Sequence, residues 1–95
     1  MSYPVFYKSR AKSEVKCAIE WYESQRRGLG FEFLTCLEDA IAKIQNHPFL
    51  YPERHKNLRR VLLRRFPYSV FYLFEDNKIY IFSVFDNRQH PKKLP

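Results

Sequence analysis

Ninety-five residues, 45% of them hydrophobic and 18% aromatic with only two glycines, suit one packed domain and exclude a disordered chain. No apolar run approaches the roughly 20 residues that cross a bilayer, and MSYPVFYKSR lacks the apolar core of a secretion signal, so a cytoplasmic protein with no membrane partner is expected. The formal net charge of +7 points to a polyanion or an acidic protein as partner. Cys17 and Cys36 are far apart in helical segments and belong to no CxxC or Cys/His cluster. They read as reduced thiols and argue against a zinc site, and no other residue pattern calls for a metal or a cofactor.

In chain order, Tyr3 to Tyr7 is a short aromatic and β-branched strand. Pro4 places it at a sheet edge or delays its start to Val5, and its expected partner is the later sheet. Ser9 is the expected N-cap of a first helix, Arg10 to Arg26. Ala11, Val15, Ala18, Ile19 and Tyr22 form that helix's apolar stripe, with Trp21 off it. Gly28 permits the left-handed conformation that ends the helix. A second helix starts at Leu29-Gly30 and stops before Pro48. Its stripe is Phe33, Leu37, Ala40, Ile41 and Ile44, with Leu34 beside it. Two amphipathic helices so tightly joined make a hairpin whose apolar face needs a sheet. Pro48 to Asn57 reads as a loop pinned by Phe49 and Tyr51, with His47 and His55 as solvated groups.

Leu58 to Asp86 carries three runs rich in Val, Ile, Leu, Phe and Tyr, broken at Phe66-Pro67-Tyr68 and at Glu75-Asp76-Asn77-Lys78. It predicts three consecutive antiparallel strands. Alternation along the first places Arg60, Leu62 and Arg64 on one side and Arg59, Val61, Leu63 and Arg65 on the other. Neither side is apolar throughout, which calls for a strong twist or a bulge. In the next two strands both faces are apolar. One must meet the helices, and the other must be covered by the tail, by its own aromatic side chains, or by a partner. The tail, Asn87 to Pro95, is basic and expected to be loosely ordered. The predicted fold is α+β in one domain, residues 1–95 including the 87–95 tail. An N-terminal strand, an α-helical hairpin and a three-stranded antiparallel meander form one sheet packed on the two helices.

An ordered series of residues now carries a resemblance. It runs Trp21-Tyr22, Gly28-Leu29-Gly30 with Phe33-Leu34, His47-Pro48 and Tyr51-Pro52. Arg59-Arg60, Leu63, Arg65-Phe66-Pro67-Tyr68 with Val70 and Tyr72, and Arg88 with Pro91 follow. From Tyr3 to Pro91 the chain resembles the RelE/ParE superfamily, the toxins of bacterial type II toxin–antitoxin modules that include plasmid stabilisation proteins, and it lies nearer the ParE branch. The resemblance implies two N-terminal helices on an antiparallel sheet. It also implies a cytoplasmic, growth-inhibiting toxin neutralised by a cognate antitoxin whose acidic C-terminal segment wraps over it. ParE-like members inhibit DNA gyrase by binding; RelE-like members cleave mRNA in the ribosomal A site without metal.

Each branch nominates residues. As a metal-independent, ribosome-dependent endoribonuclease the chain would use Arg60, Arg64 and Arg88 as cations around the phosphate and His90 as acid or base. Arginine suits phosphate because its planar fork donates two parallel hydrogen bonds. As a binding inhibitor it would meet antitoxin or target through Trp21, Arg59, Arg60, Arg64, Arg65 and Arg88. His90 sits in a basic, proline-rich tail that matches the nuclease branch poorly, and Ser13 stands where relatives often carry an acidic residue. The expectation is therefore a ParE-like gyrase inhibitor first, a ribosome-dependent nuclease second, and a non-toxic domain retaining only antitoxin binding third.

Overall fold

The computed structural model describes residues 2–95. In chain order it contains β1 (Val5–Tyr7), α1 (Ser9–Gln25), α2 (Leu29–Asn46), β2 (Glu53–His55), β3 (Leu58–Leu62), β4 (Tyr68–Glu75) and β5 (Lys78–Asp86), then one 3-10 turn, Pro91–Lys93. The strands form a single sheet in the order β1-β5-β4-β3-β2. β1 runs parallel to β5 and every other pair is antiparallel. The predicted α+β class and helical hairpin are present, with a mixed sheet of five strands in place of a meander plus one.

The added strand corrects the loop expected from Pro48 to Asn57. Glu53–His55 pairs with Leu58 and Arg59, and the chain reverses through Lys56 and Asn57, both with positive φ (53° and 65°). Asp76 and Asn77 (54° and 58°) reverse the chain between β4 and β5 in the same way. Two left-handed central residues match the twist of antiparallel strands, which is why Asn recurs there.

The hairpin is held by one carboxylate. Ser9, expected as the cap of α1, is its first helical residue; Lys8 occupies the cap position and makes no side-chain cap bond. α2 receives its cap from α1: the Glu23 carboxylate accepts the N–H of Gly28 (2.9 Å) and of Gly30 (3.0 Å). These amides would otherwise be orphans of the first turn. They also hold the Glu23 pKa below the ordinary carboxylate value, the Gly28 bond contributing most. Gly28 enters at φ +88°, and a Cβ on Gly30 would stand 2.7 Å from the Ile19 carbonyl oxygen. Close approach of the helices therefore requires glycine at 30.

The core lies between the helices and one sheet face. Ala11, Ala18, Tyr22, Phe33, Leu37, Ile41 and Ile44 meet Val61, Val70, Tyr72, Ile79, Ile81 and Val84. Burying each of the larger apolar side chains contributes about 1.5–3 kcal/mol. At one end Phe33 packs edge-on against Phe66 and Tyr68, with ring centroids 5.2 and 4.9 Å away. On the α1 side β5 is irregular: Phe71 pairs with Ser83 but Tyr72 with Ile81, leaving Phe82 as the extra residue of a bulge. Glu14 of α1 fills the gap, accepting from Ser83 Oγ (2.8 Å) and Val84 N–H (2.9 Å).

A few polar bonds shape the tail. Asn87 N–H bonds the Pro67 carbonyl at 2.7 Å, His90 Nδ1 accepts the Lys92 N–H at 3.1 Å and caps the 3-10 turn, and Arg10 donates to the Lys93 carbonyl. Single polar bonds of this kind leave no periodic trace in a sequence.

Candidate functional site

β3 carries Arg59 and Arg60 but ends at Leu62, so Arg64 and Arg65 lie beyond it. Beyond it Leu63 N–H bonds the Tyr68 carbonyl at 2.9 Å, while Tyr68 N–H closes a tight turn on the Phe66 carbonyl at 2.7 Å. The bend breaks the alternation predicted as far as Arg65, and the arginines separate.

Arg59 points to the helix side. Its Nη1 donates to the Tyr51 carbonyl at 2.6 Å and its guanidinium lies 5.2 Å from the Phe49 ring centroid. Tyr72 Oη donates to the Pro48 carbonyl at 2.8 Å, so the two together pin the 48–51 loop. Arg60 points to the opposite face. Its Nε donates to Ser69 Oγ at 2.9 Å, its Nη2 reaches Asn87 Oδ1 at 3.3 Å, and it lies over Phe71. Ser69 is fully buried and donates in turn to Asn87 Oδ1 at 2.7 Å.

Arg65 pairs with Glu32 of α2 at 2.7 Å, and Glu32 also takes Arg26 at 3.2 Å. Both bonds lower the Glu32 pKa, that from Arg65 most. Arg88 is closed on Asp86: Nε to Oδ1, Nη2 to Oδ2 and its own N–H to Oδ1, each 2.9 Å. This bidentate pair pushes the Arg88 pKa further above its ordinary range. Burial first, and Asp86 second, push Tyr68 up to about 12. Trp21, 45% exposed, borders the same depression as Tyr68, Asp86 and Gln89.

Arg60, Arg64, Arg88 and His90 thus occupy different settings. Arg60 lies over the outer sheet face, Arg64 beside α2, Arg88 on Asp86 near the α1 side, and His90 within the tail turn. Three of the four nominated nuclease residues are engaged by the fold itself: Arg60 by Ser69 and Asn87, Arg88 by Asp86, and His90 by the Lys92 amide. Among the described residues no group of three His, Cys, Asp or Glu side chains could hold a metal ion, and no helix is long and apolar enough to cross a membrane.

Arg64 does border a groove. With Phe31, Glu32, Thr35, Cys36, Asp39 and Arg65 it encloses about 530 Å³ between α2 and the end of β3. A narrower depression beside it runs past Ala40, Lys43, Val61 and Leu62. Phe31 and Leu62 are 72% and 63% exposed, although both are large apolar side chains. β2 pairs only with Leu58 and Arg59, so the outer edge of β3 from Arg60 to Leu62 carries no strand. A groove with an exposed phenylalanine, an open strand edge and an arginine that forms no ion pair among the described residues is suited to an extended peptide. Phe31 and Leu62 were missing from the sequence-based candidates. Their signal was available: Phe31 lies off the α2 stripe, and Leu62 sits among arginines on the outward side of β3.

Residues 5–91 match the model of a family described as the ParE toxin of type II toxin–antitoxin systems, parDE. Among solved structures the chain is similar to one titled as the chromosomal ParDE toxin–antitoxin system from P. aeruginosa. That likeness has a TM-score of 0.76 at 13% identity and covers 87% of this chain and 94% of the other. It supports the fold. No curated protein matches.

Proposed function

The chain belongs to the ParE toxin family of type II toxin–antitoxin systems, and from that premise we propose that it is a toxin acting by binding. Its target in this reading is DNA gyrase, and a cognate antitoxin neutralises it. The antitoxin's acidic C-terminal segment seats in the groove between α2 and β3. Its apolar side chains lie against Phe31 and Leu62, a carboxylate meets Arg64, and its backbone extends along the open edge of β3.

The observation that carries the reading is that most of the residues nominated for catalysis are already engaged by the fold. Metal-independent RNA cleavage needs cations and a proton carrier around one phosphate. Here Arg88 is neutralised by Asp86, Arg60 is bonded to Ser69, and His90 Nδ1 is occupied by the Lys92 amide. A binding protein needs no such convergence. It needs exposed apolar anchors rimmed by charge, which the groove supplies.

The test is a paired measurement on the purified chain. Gyrase supercoiling should be inhibited, while primer extension on translating ribosomes shows no A-site cuts in mRNA. Adding the antitoxin should restore supercoiling. Arg64→Glu should lower antitoxin affinity by about tenfold or more with the unfolding temperature unchanged. Ribosome-dependent mRNA cuts with supercoiling unaffected would reverse the assignment of target and mechanism.

A further inference from the structure

The depression beside α1 differs in chemistry from the groove beside α2. It encloses about 380 Å³ between α1 and the C-terminal end of β5. Its wall includes Trp21, Tyr68, Gln89 and two carboxylates, Glu14 and Asp86, and no lysine or arginine. The α2–β3 groove is lined by Arg64 and Arg65. The aromatic side of the wall is continuous. Trp21, nearly half exposed at the rim, has its ring centroid 6.4 Å from that of Tyr22, and Tyr22 lies 6.1 Å from Tyr68. The Tyr22 hydroxyl is buried with no partner among the described residues and stands near enough to Tyr68 and Arg88 to act on both electrostatically. The Tyr68 hydroxyl, its pKa pushed up to about 12, stays protonated near neutrality.

The carboxylates are engaged but not used up. Glu14 is held by Ser83, Val84 and Arg10. Asp86 Oδ1 accepts two bonds from Arg88 and Oδ2 accepts one, and the Asp86 side chain stays 21% exposed beside its partner. Arg10 and Arg88 offset the charge of both carboxylates, so a further cation is held by short-range geometry and not by a long-range field. This chain already builds such a site once: Glu32 takes Arg26 at 3.2 Å and Arg65 at 2.7 Å together.

We propose that the depression beside α1 receives an arginine side chain of a partner protein. The guanidinium lies against the exposed indole of Trp21 and donates to Asp86 Oδ2 and to the Tyr68 hydroxyl. Its plane suits an aromatic ring and a carboxylate at once, which a lysine ammonium does not. The arginine belongs to a protein, because the α-carboxylate of the free amino acid would find no cation in the lining. The site flanks α1 while the antitoxin groove flanks α2, so the inference goes beyond the antitoxin site and does not depend on it.

Trp21 is the single tryptophan of the chain, so its fluorescence reports on this depression alone. The probe is acetyl-Gly-Arg-Gly-amide, titrated against the full chain at low salt, with the citrulline peptide as uncharged isostere at matched ionic strength. The arginine peptide should give a saturable change in Trp21 emission in roughly the millimolar range, and the citrulline peptide none. Gln89 is exposed on the rim, so its charge can be altered without disturbing the core. Gln89→Glu should strengthen binding and Gln89→Lys weaken it, each by about two- to fivefold, with the unfolding temperature unchanged. Equal responses to the arginine and citrulline peptides overturn the inference, as do Gln89 variants that shift affinity in the same direction or not at all. Tighter binding of free arginine than of the capped peptide also overturns it, by making the depression a small-molecule site.

Discussion

Replacing Glu14 by alanine tests whether one carboxylate organises the α1 face of the sheet. Glu14 Oε1 accepts from both Ser83 Oγ and Val84 N–H, and Oε2 takes Arg10. Ser83 and Val84 are fully buried, so removing their acceptor strands two donors inside the protein. A buried donor left without a partner costs about 1–3 kcal/mol. The Ser83 hydroxyl can rotate toward another acceptor, whereas the Val84 amide is fixed by the bulge. The expected loss is therefore about 2–4 kcal/mol, short of the full sum for two donors. In a domain of this size that lowers the unfolding temperature by roughly 10–25 °C. Glu14→Gln keeps a carbonyl at the Oε1 position and loses only the exposed pairing with Arg10, worth less than about 1 kcal/mol. Thermal and urea unfolding of the two variants beside the parent measure the difference. If Glu14→Ala falls within about 0.5 kcal/mol of the parent, or if Gln is as damaging as Ala, the bulge is set by strand pairing alone and the reasoning is refuted.

Three further outcomes are expected. Gly30→Ala should destabilise by about 1–3 kcal/mol despite a helix-propensity gain of about 1 kcal/mol, because the new methyl meets a backbone carbonyl at 2.7 Å that cannot yield; urea unfolding decides the sign. Tyr22→Phe should be neutral or slightly stabilising, since the Tyr22 hydroxyl is buried with no partner among the described residues, while Tyr72→Phe should cost about 1 kcal/mol by breaking the bond to the Pro48 carbonyl; calorimetry of the pair checks both. For Asp86, burial raises the pKa but hydrogen bonds from the Arg88 side chain and amide outweigh it, leaving the folded value below the ordinary one. A depressed folded pKa gives stability that is fully present above the unfolded carboxylate value of about 3.9 and lost as pH falls through the folded value. Asp86→Asn should therefore be less stable near neutrality and lose less stability on acidification below about pH 4; equal acid sensitivity of parent and variant would remove the linkage.

The sequence marked its own boundaries where chemistry is local. Gly28, Pro48, Pro67 and Asp76-Asn77 each break a pattern, and each falls at a junction between elements. The stripes predicted for α1 and α2 face the core. What eluded the sequence depends on neighbours. Glu53-Arg54-His55 has no apolar alternation, and becomes a strand only because β3 lies beside it. The three residues of β1 hold no record of whether they run with or against β5. The positions of the arginines failed as a set because period-2 alternation presumes a chain that stays extended, and the Leu63 to Tyr68 bend rotates Arg64 toward α2. Phe31 was legible as an apolar residue off its stripe, but only the open edge of β3 across the groove gives it a use.

The excess charge is best understood by separating cations the fold consumes from those it leaves. The chain has seventeen Lys and Arg against ten Asp and Glu. Arg65 and Arg88 are paired with carboxylates of the same domain, and Arg59 and Arg60 are spent on a carbonyl and a buried hydroxyl. A guanidinium already bonded by its own fold contributes geometry more than field. The four arginines that first suggest a phosphate site are thus mostly structural, and the uncompensated charge lies elsewhere. Arg64 and Lys43 border the α2–β3 groove, while Lys8 and Lys56 border the depression under the tail. In both places cations stand beside exposed or lightly covered apolar side chains, with Glu32 and Asp39 also lining the groove. At the groove that pattern is a binding surface's, with apolar area for affinity and peripheral charge for orientation and encounter rate. Such rim charges are screened within about 8–10 Å at physiological ionic strength. Raising salt should accordingly slow association at the groove far more than it speeds dissociation.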